Sequence, residues 1–316
     1  MSDEADQDIL GWIYAILAFC WWGTVMPLYL IMMKYVAQPY LIDNLTWSLE
    51  VLMHRVIWCV LTCLLLIQLR RGWDDFWGAL RSKRTLATLA LTALLVGSNW
   101  LCFILAPALG KLSDASLGYY INPMLNVWLG YMFLGESLRR LQGIAVALAG
   151  IGVAWLVFVH GEVPWISLLL AGTFGIYGLL KKRLEVHAIT GLTFEALYCL
   201  PLVLIYFAVR GTQGPEFVFT QSGATLNMLL VGFGPVTAAP LIWFAAGAKR
   251  LRLATVGMLQ FLAPTLQLTV ALIANGETLP PAKIGGFLFI WAGVLVYIWD
   301  IRLRSKARPV VEPSGE

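Results

Sequence analysis

The chain has 316 residues, of which 59% are hydrophobic and 13% charged, and its mean hydropathy is +0.77. A soluble domain carries roughly a quarter charged residues, so lipid is the expected solvent for most of this chain. The net charge of +4 does not indicate nucleic acid, because the basic residues sit in short clusters between apolar runs, where they report membrane orientation.

The first residues, MSDEADQD, are acidic, whereas a secretory signal opens with a basic segment. The apolar run that follows is therefore expected to be a retained span. A helix needs about 20 residues to cross a hydrocarbon core of roughly 30 Å. By that measure ten spans are predicted, over 11–33, 45–69, 86–109, 113–134, 141–159, 164–180, 189–209, 225–247, 254–274 and 282–301. Backbone groups in lipid must be satisfied internally, and segments of this length do so as helices. The fold class read here is an all-α integral membrane protein.

The second span, LTWSLEVLMHRVIWCVLTCLLLIQL, carries Glu50, His54 and Arg55 within six positions. At 1.5 Å per residue Glu50 lies about 8 Å in, and His54 and Arg55 about 13–15 Å in. An Arg near the bilayer centre costs at least about 2.5–3.5 kcal/mol, so all three are expected to face the bundle interior. Two readings stay open: a buried Glu–Arg pair that locks helices, or a site that meets a polar substrate or a proton.

Further along, Asn99 and Trp100 lie in the third span. Tyr119, Asn122 and Asn126 follow at i, i+3 and i+7 in the fourth. Glu195 lies in the seventh span, and Gln260 and Gln267 in the ninth. These amides either bond across helices as glue, typically for about 0.6 kcal/mol each, or orient a ligand. Glu136 and Glu277 end their spans and read as interface or capping residues. Gly172, Gly175 and Gly178 read as close helix packing. Trp12, Trp73, Trp77, Trp165 and Trp299 lie near span ends and read as interfacial anchors.

The chain also repeats. The stretch 112–138 aligns with 253–279 at an offset of 141, pairing Pro123 with Pro264, Glu136 with Glu277, Tyr119 with Gln260 and Asn126 with Gln267. Each mid-helix proline removes a backbone hydrogen bond. Glu195 falls near Glu50 at an offset of 145. Five spans per half is an odd number, so the second half enters the membrane upside down, as in many transporters. The halves are read as 1–160 and 161–302, with 303–316 a cytoplasmic tail. If the N-terminus is cytoplasmic, seventeen of the 22 Lys and Arg residues fall on that side and four (Lys34, Lys111, Arg210, Lys283) outside. That asymmetry places both termini inside.

Catalytic and metal signals are weak. Cys20, Cys59, Cys63, Cys102 and Cys199 all fall in apolar segments without a CxxC, so neither a disulfide framework nor a zinc site is suggested. His160 and His187 sit near span ends. No H-E-x-x-H, Walker A or G-x-S-x-G motif is present, and no metal or cofactor is expected.

EVLMHRVIW (50–58), GSNWL (97–101), ASLGYYINP (115–123), TGLTFE (190–195), RLRLATVG (250–257), QFLAPTL (260–266) and the two GE pairs together resemble the RarD branch of the EamA-type drug/metabolite transporters. The resemblance implies ten helices in inverted five-helix repeats around a cavity open alternately to each side, in the bacterial inner membrane. Two departures stand out. The family tends to read W-G-x-x-P-x-Y-x-K, whereas WGTVMPLYLI has one extra residue and Ile31 in place of the lysine; Pro107 replaces a polar position. The family's chloramphenicol label names no settled substrate.

The expected function is a secondary transporter of a small polar or amphipathic metabolite or drug, working by alternating access. Proton coupling through His54 and a homodimer are both left open. Its partners are then an unidentified small molecule and the bilayer. The rivals are a membrane-embedded enzyme using Glu50 and His54 as acid and base, and a non-transporting scaffold whose polar stripes fill one another.

Overall fold

The protein is described here by a computed structural model covering residues 9–38, 44–109, 111–212, 217–274 and 279–307. Among these residues the chain is all-helical. In chain order the helices are α1 (Ile9–Ala37), α2 (Asn44–Leu69), α3 (Trp73–Arg81), α4 (Lys83–Ala108), α5 (Leu112–Leu134), α6 (Arg140–His160) and α7 (Trp165–Arg183). They continue with α8 (Ala188–Thr212), α9 (Val218–Gln221), α10 (Ala224–Arg250), α11 (Leu253–Gln260), α12 (Leu262–Ala274) and α13 (Pro281–Ala307). Among the described residues eight helical segments are long and apolar enough to cross a membrane: α1, α2, α4, α6, α8, α10, the α11–α12 rod and α13. The other two segments read as spans, α5 and α7, are helices of 23 and 19 residues packed against each other.

Backbone irregularities follow from particular residues. Pro27 has no N–H to offer the carbonyl of Gly23, and just before it α1 widens into a π turn over Trp21–Val25, where Met26 N–H bonds Trp21. Likewise Pro264 cannot bond the carbonyl of Gln260, and the rod breaks at Phe261 between α11 and α12. The carbonyl of Pro264 accepts a hydrogen bond from Tyr120 at 3.1 Å. Gly135, at φ +63°, ends α5 in the left-handed conformation that glycine takes without cost.

Between the spans predicted over 45–69 and 86–109 lies α3, a short amphipathic helix. It buries Phe76 and Ala79 and leaves Trp77 and Leu80 exposed, while Asp74 and Asp75 in its first turn complement the helix dipole. Phe76 stacks on Phe194 of α8 at 4.7 Å. The main core is built where α1, α2, α4, α7, α8 and α10 meet, around Phe19, Tyr177 and Phe244. A second core joins α5, α6, α11 and α13 around Ile290 and Phe261.

Candidate functional site

Helix α2 is held by packing against α8 and α10, and this directs Glu50, His54 and Arg55 inward; they are 1%, 6% and 7% exposed. The three do not act as one group. Glu50 Oε1 lies 3.7 Å from Nη2 of Arg210. The sequence counted Arg210 as a loop residue, but α8 continues to Thr212 and brings it back over the bundle. A buried Glu–Arg pair therefore exists between α2 and α8, and Arg55 is not its cation.

His54 sits one turn further along. Its Nδ1 accepts a hydrogen bond from Trp58 Nε1 at 3.3 Å. Its ring stacks on Phe219 at 5.1 Å and meets the edge of Phe207 at 5.7 Å. Nε2 is buried without a hydrogen-bond partner among the described residues.

Arg55 enters an aromatic box. Its guanidinium carbon lies 4.4 Å over the ring of Trp100 and 5.4 Å over that of Phe233, within cation–π range. Phe233 in turn stacks on Tyr29 at 5.8 Å. Tyr119 is near enough to interact electrostatically with Arg55 and meets Phe103 edge-on at 5.8 Å. No described carboxylate pairs with Arg55, and its Nε is buried without a hydrogen-bond partner among the described residues.

The amides form a chain across helices. Asn126 Nδ2 donates to Gln260 Oε1 at 2.7 Å and to Asn122 Oδ1 at 3.0 Å. Asn122 Nδ2 donates to the carbonyl of Ala171 at 3.3 Å. Asn99 Nδ2 donates to the carbonyl of Leu170 at 3.0 Å and to Thr173 Oγ1 at 3.1 Å. Gln267 stands apart from this chain: its Nε2 donates to the carbonyl of Trp22 at 3.0 Å, in the π turn, where a carbonyl is not taken by the usual helical bond. The offset that paired Asn126 with Gln267 thus gives them different partners.

Glu195 is fully buried and multiply bonded. Lys181 Nζ lies 3.0 Å from its Oε1, Thr92 Oγ1 donates to Oε1 at 2.7 Å, and Tyr177 donates to Oε2 at 3.2 Å. Lys181 is one of the seventeen Lys and Arg residues assigned to the cytoplasmic side by sequence; α7 extends to Arg183, and the Lys181 side chain is only 2% exposed. Arg210, Phe233, Lys181, Tyr177 and Thr92 were all missed by the sequence. The two cations were hidden because long side chains near span ends can turn back into the bundle.

Glu136 caps, as read: its carboxylate accepts the N–H groups of Leu253 and Ala254 at 2.7 and 2.9 Å, at the start of α11. Glu277 lies outside the described residues. Gly175 and Gly178 pack closely, a Cβ on Gly175 falling 2.9 Å from Leu125, whereas Gly172 meets nothing. Among the described residues no cluster of His, Cys, Asp and Glu has the makings of a metal site.

No family model matches the chain. It is 41% identical over 300 residues to an uncharacterized transporter of Vibrio cholerae, covering 95% of both chains. It is 38% identical over 298 residues to protein RarD of Salmonella typhimurium, covering 94% of this chain and 97% of that one. It is 34% identical over 267 residues to the chloramphenicol-sensitive protein RarD of Pseudomonas aeruginosa, covering 83% and 88%. A solved crystal structure superposes with a TM-score of 0.63 at 19% identity, over 92% of this chain and 98% of that one, which is a likeness of fold alone.

Proposed function

The chain belongs to the RarD family of multi-pass membrane transporters, and from that premise we propose that it is a secondary transporter for a small amphipathic molecule bearing an anionic group. One observation carries the reading: a guanidinium, Arg55, is buried in an aromatic box with no described carboxylate to neutralise it. A charge in that position is costly and is relieved by a ligand of opposite sign. Trp100 and Phe233 supply apolar contact, Tyr119 and the Asn122–Asn126–Gln260 chain orient the ligand, and His54, with Nε2 unpartnered, is the group proposed to carry a coupling proton. Transport without catalysis is the reading, in line with the relatives' names.

The same proposal takes α5 and α7 as spans, making ten, and divides the chain into two inverted halves, 1–160 and 161–302, that rock around this site with both termini cytoplasmic in the bacterial inner membrane. Support comes from contacts that the 141-residue offset carries into one another. A Cβ on Gly152 would meet Gly286 and Ile290, and one on Gly293 would meet Ala145 and Ala149. Trp58 lies against Gly234, and Cys199 Sγ reaches the carbonyl of Ala93 at 3.9 Å. Helix packing follows suit: α2 against α10 answers α8 against α4, and α1 against α10 answers α7 against α4. On this offset the counterpart of Glu195 is His54, not Glu50.

The test is a thermal-shift series on purified protein with amphipathic carboxylates and their neutral amides. The expected result is stabilisation by some carboxylates but not the matched amides. Arg55→Lys, which keeps the charge but loses the planar stacking fork, should weaken the stabilising ligand about tenfold or more. Equal stabilisation by acid and amide, or an unchanged response in Arg55→Lys, ends the reading.

A further inference from the structure

A cavity of about 370 Å³ lies away from the Arg55 site, where the end of α2, the first turn of α3 and the start of α8 meet. That volume falls in the range of small-molecule sites, roughly 300–1,000 Å³. Its floor is apolar, from Leu66, Ile67 and Ile189, and its polar lining is Arg70, Asp75, His187 and Thr190. Thr190 is 2% exposed, faces this space, and makes no side-chain hydrogen bond with any described residue. Arg70 likewise pairs with no described carboxylate.

The local charge is cationic. His187 is within electrostatic reach of Arg70, Lys249 and Arg250 and of the carboxylate of Asp75, while Glu185 faces Lys249, which leaves three cations against two carboxylates. Asp75 is held by the first turn of its own helix, where the dipole favours a negative charge. The cavity also abuts the start of α8, where Ile189 N–H bonds His187 Nδ1 at 3.4 Å and Gly191 N–H bonds the carbonyl of His187 at 2.9 Å, so the free donor that this end offers the cavity is Thr190.

Helix α3 tells where the cavity opens. It is nine residues long, apolar on one face through Phe76 and Ala79, and presents Trp77 at 52% exposure. Arg70 and Arg71 precede it, and Arg81, Lys83 and Arg84 close it or follow it. An amphipathic helix with tryptophan and flanking cations lies in the headgroup plane of a membrane.

We propose that this cavity binds a phosphate group, with Arg70 and Thr190 as its donors and the apolar floor receiving the attached glyceryl or acyl carbons. A phosphate on this frame has two sources, an anionic phospholipid headgroup or a soluble phosphate ester. The first is what α3 places nearest.

The experiment is native mass spectrometry of the detergent-purified full chain, titrated in separate arms with phosphatidylglycerol, phosphatidylcholine and glycerol 3-phosphate. The expected result is retention of phosphatidylglycerol over phosphatidylcholine, at least about fivefold weaker in Arg70→Ala and in Thr190→Val. Asp75→Asn, which removes the opposing charge, should bind more tightly, an outcome that a damaged fold does not produce. Arg84→Ala, outside the cavity, should bind as wild type does. Saturation by glycerol 3-phosphate at lower concentration than by the lipid would assign the site to a soluble ester. Binding of neither anion above phosphatidylcholine, or loss no greater in Arg70→Ala than in Arg84→Ala, overturns the proposal. Because Arg55 takes no part, failure here leaves the transport reading untouched.

Discussion

Lys181 Nζ lies 3.0 Å from Glu195 Oε1 with both side chains almost wholly buried. Such a pair is asymmetric in its energetics. Attraction between the two ions roughly offsets the cost of drying them, but removing one partner strands the other, typically at 3–5 kcal/mol. Glu195→Leu is expected to lower the unfolding free energy in detergent by about that much. The double variant Glu195→Leu/Lys181→Met should recover most of the loss, since apolar replacement of a whole buried pair is often neutral. A double variant no more stable than the single would show that the pair is not the unit.

Gly152 and Gly293 lie in one interface, between α6 and α13, each against the other helix's backbone: 2.5 Å from a Cβ to the carbonyls of Gly286 and Ala145 respectively. No side chain fits at either place without separating the helices. Gly152→Val and Gly293→Val should each destabilise by about 1–3 kcal/mol, the usual cost of overpacking, and by similar amounts. The check is thermal unfolding in detergent. A large effect at one position and none at the other would break the proposed equivalence of the halves.

Much of this frame was legible in the sequence because lipid imposes a simple ruler. All ten apolar runs are helices, and the acid, imidazole and guanidinium of α2 are buried as their cost requires. What sequence could not give was partnership. Span depth fixes where a Cα sits, yet Lys181 and Arg210 reach several ångströms back along the bundle to Glu195 and Glu50. Phe233 could not be singled out either, in a chain with 15 phenylalanines and 14 tryptophans; only packing selects the rings under Arg55. The family resemblance marked an extra residue in the first span, but not that a π turn would free a carbonyl for Gln267.

His187 gives a pH test outside the spans. Burial pushes its imidazole below the ordinary 6.5, Asp75 opposes that, and Arg70, Lys249 and Arg250 push it lower still. A lowered histidine binds its proton more readily in the unfolded chain, so stability rises with pH wherever the two states differ. The contribution of His187 is thus complete above about pH 6.5 and is lost as pH falls below it. Melting temperature should drop on acidification from about pH 7 to pH 5, and His187→Gln should remove part of that slope. Identical slopes for the two proteins would count against it.

Asn126 offers the sharpest separation of glue from ligand recognition. Its Nδ2 is used twice, toward Gln260 and Asn122, while its Oδ1 is buried with no hydrogen-bond partner among the described residues. An amide placed only to tie helices would be expected to use its acceptor as well, because an unmet buried polar atom costs about 1–3 kcal/mol. If that oxygen awaits a donor on the cargo, Asn126→Asp should lose both stability and affinity: it strips Gln260 Oε1 and Asn122 Oδ1 of their donor, at about 1–3 kcal/mol for an unmet buried group, and its added negative charge opposes an anionic ligand. Asn126→Ala should destabilise for the same reason and lose affinity in the fraction that stays folded. The measurement is paired, unfolding midpoint and ligand-induced thermal shift on the same preparations. A variant that unfolds readily while its remaining folded fraction binds as wild type does would assign Asn126 to holding the helices together and remove it from the proposed site.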